Sequence, residues 1–346
     1  MALEVDIEKR AGSFHLRTSF TAGEGILGIL GASGCGKSMT LRCVAGIDRP
    51  DRGRIALDGR VLFDSERKID LPPQARRVGY LFQSYALFPG MTVRQNILCA
   101  LHAERDRRKR EARADEIMDL LQIRPIAALR PRALSGGQSQ LVALGRILAN
   151  APDLLMMDEP FAALDTHLRL RLQMELRNLL SGYGRSVVMV THDRDEAFRM
   201  CDRLGVMENG RMLAVKDARE LFADPQTRAA AVLTGCKNIA GARKTGERQV
   251  FVPDWNVHLT TGRPVRDAVA AVGIRAHYLR PEVAANRFPV HFLREMEEPF
   301  AWVSEFRYAD QSPDTPALWW RYGKQQRPAV LPKALGVAPE DVLLLY

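Results

Sequence analysis

The sequence predicts an α/β fold: a mostly parallel sheet covered by helices, with an antiparallel β layer before it, a helical subdomain within it and a small β-rich domain after it. Three observations predict this. The apolar run Ile26 to Leu30 leads into Gly31-Ala32-Ser33-Gly34-Cys35-Gly36-Lys37-Ser38 and then the amphipathic segment Met39 to Ala45, which is strand, glycine loop and helix. Two further buried-strand patterns, Leu154 to Met157 and Val187 to Val190, also run into polar residues and helical segments, so strands alternate with helices. Beyond about residue 235 the composition shifts: all four tryptophans (255, 302, 319 and 320) and ten of the 19 prolines lie there, which sets residues 236–346 apart from residues 1–235.

In chain order, Leu3, Val5 and Ile7 alternate with Glu4, Asp6 and Glu8, the period of a strand with one buried face, and Phe14, Leu16 and Phe20 mark a second strand. The antiparallel layer begins here. Arg54 to Leu57, the turn Asp58-Gly59 and Val61 to Phe63 read as a hairpin of the same layer. Leu71-Pro72-Pro73 breaks the chain before the β-like run Val78 to Phe82, which ends on Gln83. Thr92 caps a helix through Leu101, Ala112 to Leu121 has helical spacing, and Pro125 and Pro131 close the region. Leu134-Ser135-Gly136-Gly137-Gln138 then opens a helix to about Ala149, so that residues 90–150 form the helical subdomain. A helix follows Asp165, another starts at Thr191-His192-Asp193, and Asn209-Gly210 turns a hairpin before short helices near Asp217 to Phe222 and Gln226 to Leu233.

The 346 residues, 46% hydrophobic and 26% charged, suit two globular domains and exclude disorder as the default. No uncharged apolar run approaches the ~20 residues that cross a bilayer, and Met1 to Arg10 has no signal-peptide core, so a cytoplasmic protein is expected. Five cysteines, at 35, 43, 99, 201 and 236, are odd in number and lack metal-ligand spacing, against a disulfide framework or zinc site. Cys35 stands where a helix N-terminus could lower its thiol pKa, although a small residue that fits the loop is the plainer reading. The net charge of +9 suits nucleic acid or an anionic membrane surface. Its densest basic run, His102 to Arg113, is mixed with acids and reads as a solvated helix face.

Phosphate chemistry has several independent supports. Gly, four residues, Gly-Lys-Ser is the spacing of a loop whose backbone N–H groups turn inward onto an anion at a helix N-terminus. Lys37 would reach the β- and γ-phosphates and Ser38 would offer its hydroxyl to Mg²⁺. Asp158 ends a buried strand, where it can hold Mg²⁺ through water, and Glu159 projects differently and can polarise an attacking water. Charge directly after a buried strand belongs at the sheet's carboxyl edge, where such folds bind ligands. Gln83 and His192 also end strands at that edge. Ser135, Gly136 and Gly137 form a second anion-binding helix end. There is no Gly-x-Ser-x-Gly elbow and no paired-His zinc motif, so hydrolases of those kinds are excluded.

On these residues the chain resembles the nucleotide-binding subunit of ATP-binding-cassette (ABC) transporters, a P-loop NTPase fold. The matching pieces are the Walker A loop Gly31 to Ser38, the Q-loop Gln83, the signature Leu134 to Gln138, the Walker B residues Asp158 and Glu159, the D-loop Ala163-Leu164-Asp165 and the switch His192. The resemblance covers residues 1 to about 235. It implies that Gly31, Ala32, Ser33, Gly34, Cys35, Gly36, Lys37, Ser38, Met39 and Gln83 bind ATP; that Ser38, Gln83 and Asp158 serve Mg²⁺; and that Glu159 and His192 are catalytic. It implies too that Ser135, Gly136, Gly137 and Gln138 cover ATP held by a second copy, with Asp165 at that junction. One cassette per chain implies a homodimer that ATP closes and hydrolysis opens. Two positions depart from the pattern: the adenine-stacking region reads Glu8-Lys9-Arg10-Ala11-Gly12-Ser13-Phe14, with Arg10 or Phe14 as candidates, and Leu141 stands where Arg is common.

The stretch Gly59 to Val93, with its longer loop before Pro72-Pro73, resembles molybdate importer ATPases more than sugar importer ones. Gly235 to Asn238 and Val272 to His277 are similar to the OB-like β modules that end oxyanion importer ATPases, without a clear copy of the molybdate-sensing repeat. The resemblance thus implies a peripheral ATPase on the cytoplasmic face of the cell membrane, driving uptake, with molybdate the first solute and sulfate, tungstate, ferric iron or polyamine the alternatives. Its partners would be an integral-membrane permease and an extracytoplasmic solute-binding protein, with no nucleic acid. Two other classes share some of these features. An ABC ATPase of DNA repair or translation would explain the charge but commonly carries coiled-coil insertions or tandem cassettes. A P-loop kinase would need an acceptor pocket and has no use for the signature.

Overall fold

The computed structural model describes residues 2–82, 84–162, 164 and 166–346, the side chains at 166–168 excepted. Two compact units divide the chain, Met1–Ala218 and Arg219–Tyr346.

In the first unit the strands are β1 (Leu3–Ala11), β2 (Phe14–Ala22), β3 (Gly25–Leu30), β4 (Arg52–Leu57), β5 (Arg60–Asp64), β6 (Ile69–Asp70), β7 (Val78–Leu81), β8 (Leu154–Asp158), β9 (Ser186–Thr191), β10 (Arg203–Glu208) and β11 (Arg211–Asp217). Its helices are α1 (Lys37–Ala45), α2 (Pro73–Arg76), α3 (Val93–Ala100), α4 (Arg107–Leu120), α5 (Gly136–Ala149), α6 (Thr166–Ser181) and α7 (Arg194–Met200). Among the described residues the strands form two sheets. One, in the order β2-β1-β4-β5-β6, is antiparallel. The other, β11-β10-β3-β9-β8-β7, is parallel from β10 to β7 and closed by antiparallel β11.

One core joins the two sheets. Leu3, Val5, Ile7, Ile55 and Leu57 of the antiparallel layer share it with Leu27, Ile29, Met156, Val188 and Val190 of the parallel sheet, and Leu41 and Val44 of α1 are buried among them. Burial at i, i+2, i+4 is the alternation that β1 shows in sequence, and β3, β8 and β9 are almost continuously buried, as a parallel strand covered on both faces must be. α3, α4 and α5 pack on one another as the helical subdomain.

Several boundaries differ from the sequence reading, each for a local reason. α4 starts at Arg107 and not Ala112, because the Asp106 carboxylate accepts the Arg108 and Lys109 N–H groups at 2.8 and 3.4 Å and caps the basic run into helix. Most of its charges are exposed or paired, as in Arg94 of α3 with Glu111 and Asp115, whereas Arg110 buries an Nε with no partner. β6 and α2 went unread, being too short to show a period.

The second unit holds Arg219 onward and not only residues 236–346. Helix α8 (Ala218–Ala223) straddles the division and α9 (Arg228–Leu233) follows it. The boundary falls earlier because this stretch is tied to the later strands. Arg275 donates to the Thr234 carbonyl at 2.7 Å and to the Phe222 carbonyl, Tyr346 N–H donates to the Gln226 carbonyl at 2.8 Å, and Ala231 packs with Cys236, Ala271, Leu343 and Leu345. The unit is otherwise β, from β12 (Asn238–Gly241) to β21 (Val342–Leu345), in three small antiparallel sheets around Val250, Trp255, Phe306, Tyr308 and Trp320. Among the described residues no helix is long and apolar enough to cross a membrane.

Arg76 is fully buried, which its place in the basic pair Arg76-Arg77 does not suggest. Its guanidinium donates to the carbonyls of Cys43 and Val44 at 2.9 Å and Leu71 at 2.8 Å, and to Asp70 at 3.0 Å. It thereby satisfies the last carbonyls of α1, beside Gly46, whose φ is +79° and where a Cβ would stand 2.5 Å from Arg76 Nε, leaving no room for a side chain. Replacing it by Met of similar length strands several buried acceptors. Arg76→Met is expected to cost about 3 kcal/mol, read as a lower urea midpoint at unchanged slope.

Candidate nucleotide site at the carboxyl edge of the sheet

Strand register assembles the site. Leu30 of β3 pairs with Thr191 of β9, and Asp158 of β8 pairs with Val190, so the residues that follow, Gly31, His192 and Glu159, leave the sheet side by side.

Gly31 to Gly36 turn from β3 into α1. Gly36 is the N-cap at φ +107°, a conformation closed to other residues, and the Phe14 ring stands 3.1 Å from where its Cβ would be. No side chain caps α1, so its first-turn N–H groups are available to an anion. Lys37 is buried and its ammonium donates to the Gly31 and Ala32 carbonyls at 2.8 and 3.0 Å, folding back over the loop it would share with phosphates. Met39 is partly buried against the core. Burial pushes the Cys35 thiol up against the lowering effect of Lys37, so the loop does not activate it, and the reading of a small residue that fits stands.

Ser38 Oγ donates to Asp158 Oδ1 at 2.8 Å, spanning the end of β9, which lies between β3 and β8. The other carboxylate oxygen accepts from the Tyr80 hydroxyl at 2.8 Å. Burial first, and the Asp158 charge next, push the Tyr80 phenol well up, which keeps it a donor. Glu159 has φ +45°, rare for a residue with a side chain, and its N–H donates to the Val190 carbonyl at 3.1 Å. Its Oε1 lies 3.0 Å from His192 Nδ1. A carboxylate only accepts, so Nδ1 carries the proton of that bond.

Ser135 caps α5 in a reciprocal box: its hydroxyl oxygen accepts the Gln138 N–H at 3.2 Å, and its own N–H donates to Gln138 Oε1 at 2.9 Å. The box uses the Ser135 hydroxyl oxygen as acceptor and Gln138 to hold the turn, and the Gly136 and Gly137 N–H groups take no part in it. Gln83, Ala163 and Asp165 lie outside the described residues. After Gln83, Tyr85 and Ala86 both have positive φ, 59° and 47°. Arg146 of α5 fixes them, donating to the Ala86 and Tyr85 carbonyls at 2.7 and 3.3 Å, with its guanidinium 5.1 Å from the Phe88 ring centre.

The ABC transporter family profile matches residues 15–162. The molybdenum import ATP-binding protein ModC of Paramagnetospirillum magneticum is 39% identical over 226 residues, 65% of this chain and 62% of that protein, so the chain spans somewhat less than two thirds of it. The spermidine/putrescine import ATP-binding protein PotA of Bacillus cereus is 41% identical over 294 residues, 85% of this chain and 84% of that one. The chain belongs to the ABC transporter ATP-binding family. Among solved structures, the dimeric ATP-binding cassette MJ0796 bound to ADP and Pi is 27% identical, with a TM-score of 0.54 over 63% of this chain and 99% of that one. The fold is thus that of an ABC cassette, and the protein is an ATP-binding ATPase.

Three of the cassette's contacts were not read from sequence. Tyr80 and Arg146 act on residues far away in the chain, which no spacing reveals, although Tyr80 two places before the end of its strand run was a visible polar group in an apolar stretch. Glu196 is the third. It stands on α7 just after His192, is buried, and has one carboxyl oxygen without a partner. Burial, then the Asp193 charge, pushes its carboxyl from the ordinary 4.5 up to about 8, against the Thr191 hydroxyl and Arg169. With the folded value above the unfolded one, this group's contribution to stability is complete below about pH 4.5 and is lost as pH rises through about 8. Glu196→Gln is expected to flatten that fall, so that the variant gains on the parent in urea midpoint between pH 5 and pH 8.5.

Proposed function

We propose that the chain is the ATP-hydrolysing subunit of an ABC importer and works as a homodimer at the cytoplasmic face of the membrane, docked on a separate permease fed by an extracytoplasmic binding protein. The observation that carries the chemical part is the juxtaposition of Ser38 with Asp158 and of Glu159 with His192 at one sheet edge.

In this reading the α1 N–H groups and Lys37 hold the phosphates. Lys37 exchanges its two loop carbonyls for β- and γ-phosphate oxygens. Ser38 and Asp158 offer hard oxygen donors within hydrogen-bond distance of each other, which suits Mg²⁺, with Gln83 as a further donor. Mg²⁺ bound there would neutralise charge on the β- and γ-phosphates. Glu159 is the general base: it takes a proton from a water as that water's oxygen bonds to the γ-phosphorus and the bond to the ADP oxygen breaks. His192 starts on Glu159 and turns to the γ-phosphate, which frees the carboxylate for the water. The second anion-binding end, Ser135 to Gly137, serves ATP on the partner copy; the likeness to the MJ0796 cassette, whose structure is dimeric, supports that assembly.

Molybdate is the solute we propose, on the likeness to ModC. The second reading is a polyamine, favoured by PotA's greater coverage of the chain. The cassette does not touch the solute, which leaves the choice to uptake: labelled molybdate taken up by cells expressing the whole transporter, and competed by tungstate or sulfate but not by putrescine, supports the first reading, and the reverse pattern supports the second.

For the catalytic assignment, Glu159→Gln is expected to keep ATP binding, to form dimers with ATP, and to lose phosphate release by about 10²-fold or more. Phosphate release or uptake at the parent's rate in this variant would overturn the role of Glu159.

A further inference from the structure

The structure assigns a positioning role to Tyr80: its hydroxyl sets which oxygen of the Asp158 carboxylate is presented toward Ser38 and the metal side of the site. This rests on the reading of Asp158 as a Mg²⁺-side carboxylate.

The parallel pairing of β7 with β8 places Tyr80 opposite Met156, and Asp158, two residues further along β8, shares the Met156 face. The Tyr80 side chain is therefore on the face that carries Asp158. Its ring is held independently of its hydroxyl, packed against the core and 4.5 Å, centre to centre, from Phe82. The hydroxyl thus reaches Asp158 Oδ2 from a fixed platform at 2.8 Å, while Ser38 takes Oδ1 at 2.8 Å.

A carboxylate's terminal torsion is broad and roughly two-fold, so a single hydrogen bond leaves the plane of Asp158 free to swing. Two donors on opposite oxygens fix it. The Ser38 bond cannot do this alone, because Ser38 is itself the hydroxyl offered to the metal. Tyr80 is the donor that keeps the same partner in either condition. A partner of this kind, one step behind the metal-facing groups, typically changes metal affinity or activity about 10–100-fold when removed.

Tyr80→Phe keeps the ring and removes only the hydroxyl. The test is Mn²⁺ titrated into the full chain with a non-hydrolysable ATP analogue, free Mn²⁺ being read by EPR, alongside binding of the same analogue without metal. The expected result is Mn²⁺ affinity lowered about ten-fold with metal-free analogue binding unchanged. Asp158→Asn serves as the control for the underlying reading. Unchanged Mn²⁺ affinity in Tyr80→Phe with lowered affinity in Asp158→Asn would overturn the positioning role while leaving the site standing. Unchanged affinity in both would overturn the assignment of Asp158 and the proposal with it. Equal loss of metal-free and metal-dependent analogue binding in Tyr80→Phe would mark Tyr80 as packing only.

Discussion

The hydrogen bond from Ser38 to Asp158 is the constraint around which the first unit is arranged. Ser38 is the second residue of α1, which lies between the antiparallel layer and the parallel sheet, and Asp158 ends β8, beyond the intervening β9. For the two to meet, α1 must sit at a fixed depth and rotation against the sheet. Arg76 sets its far end by binding the last carbonyls, and the buried residues of β1, β4 and β5 press it from the opposite side. The helix is thus located at both ends by polar contacts and along its length by apolar ones. A shift of an ångström would separate the hydroxyl from the carboxylate.

The same arithmetic of strand ends explains how much of the molecule was legible in the sequence. β3, β8 and β9 announce themselves as apolar runs, and each is followed at once by a glycine or polar residue at the same sheet edge, because parallel strands of similar length finish together. Reading where the runs stop therefore located Gly31, Asp158, Glu159 and His192 before any geometry was known. The helix starts at Thr92 and Ser135 were equally local, and in the structure each is closed by a capping box that the sequence reading did not include.

What escaped notice was non-local or too short to have a period. Arg76 looks like one basic residue in the run Arg76-Arg77, and only the fold turns it into the cap of a helix thirty-odd residues earlier. Tyr80 and Arg146 acquire their partners through strand register and helix packing, so their neighbours in sequence say nothing about them. The division between the units was displaced for a related reason. The amphipathic helix α9 can be read from its own residues, but which core it joins depends on Arg275 and the last strand, β21, more than forty residues away.

The closed capping box at Ser135 has a consequence for how fast two copies could meet. A helix end whose turn is already held by its own Gln138 needs no folding step when an anion arrives, so little conformational freedom is lost there on contact. In the proposed homodimer the encounter would be set by how often both P-loops carry nucleotide and by charge steering between the chains. The ordering of the signature would not limit it. The waiting time between engagements would then follow nucleotide occupancy and ionic strength.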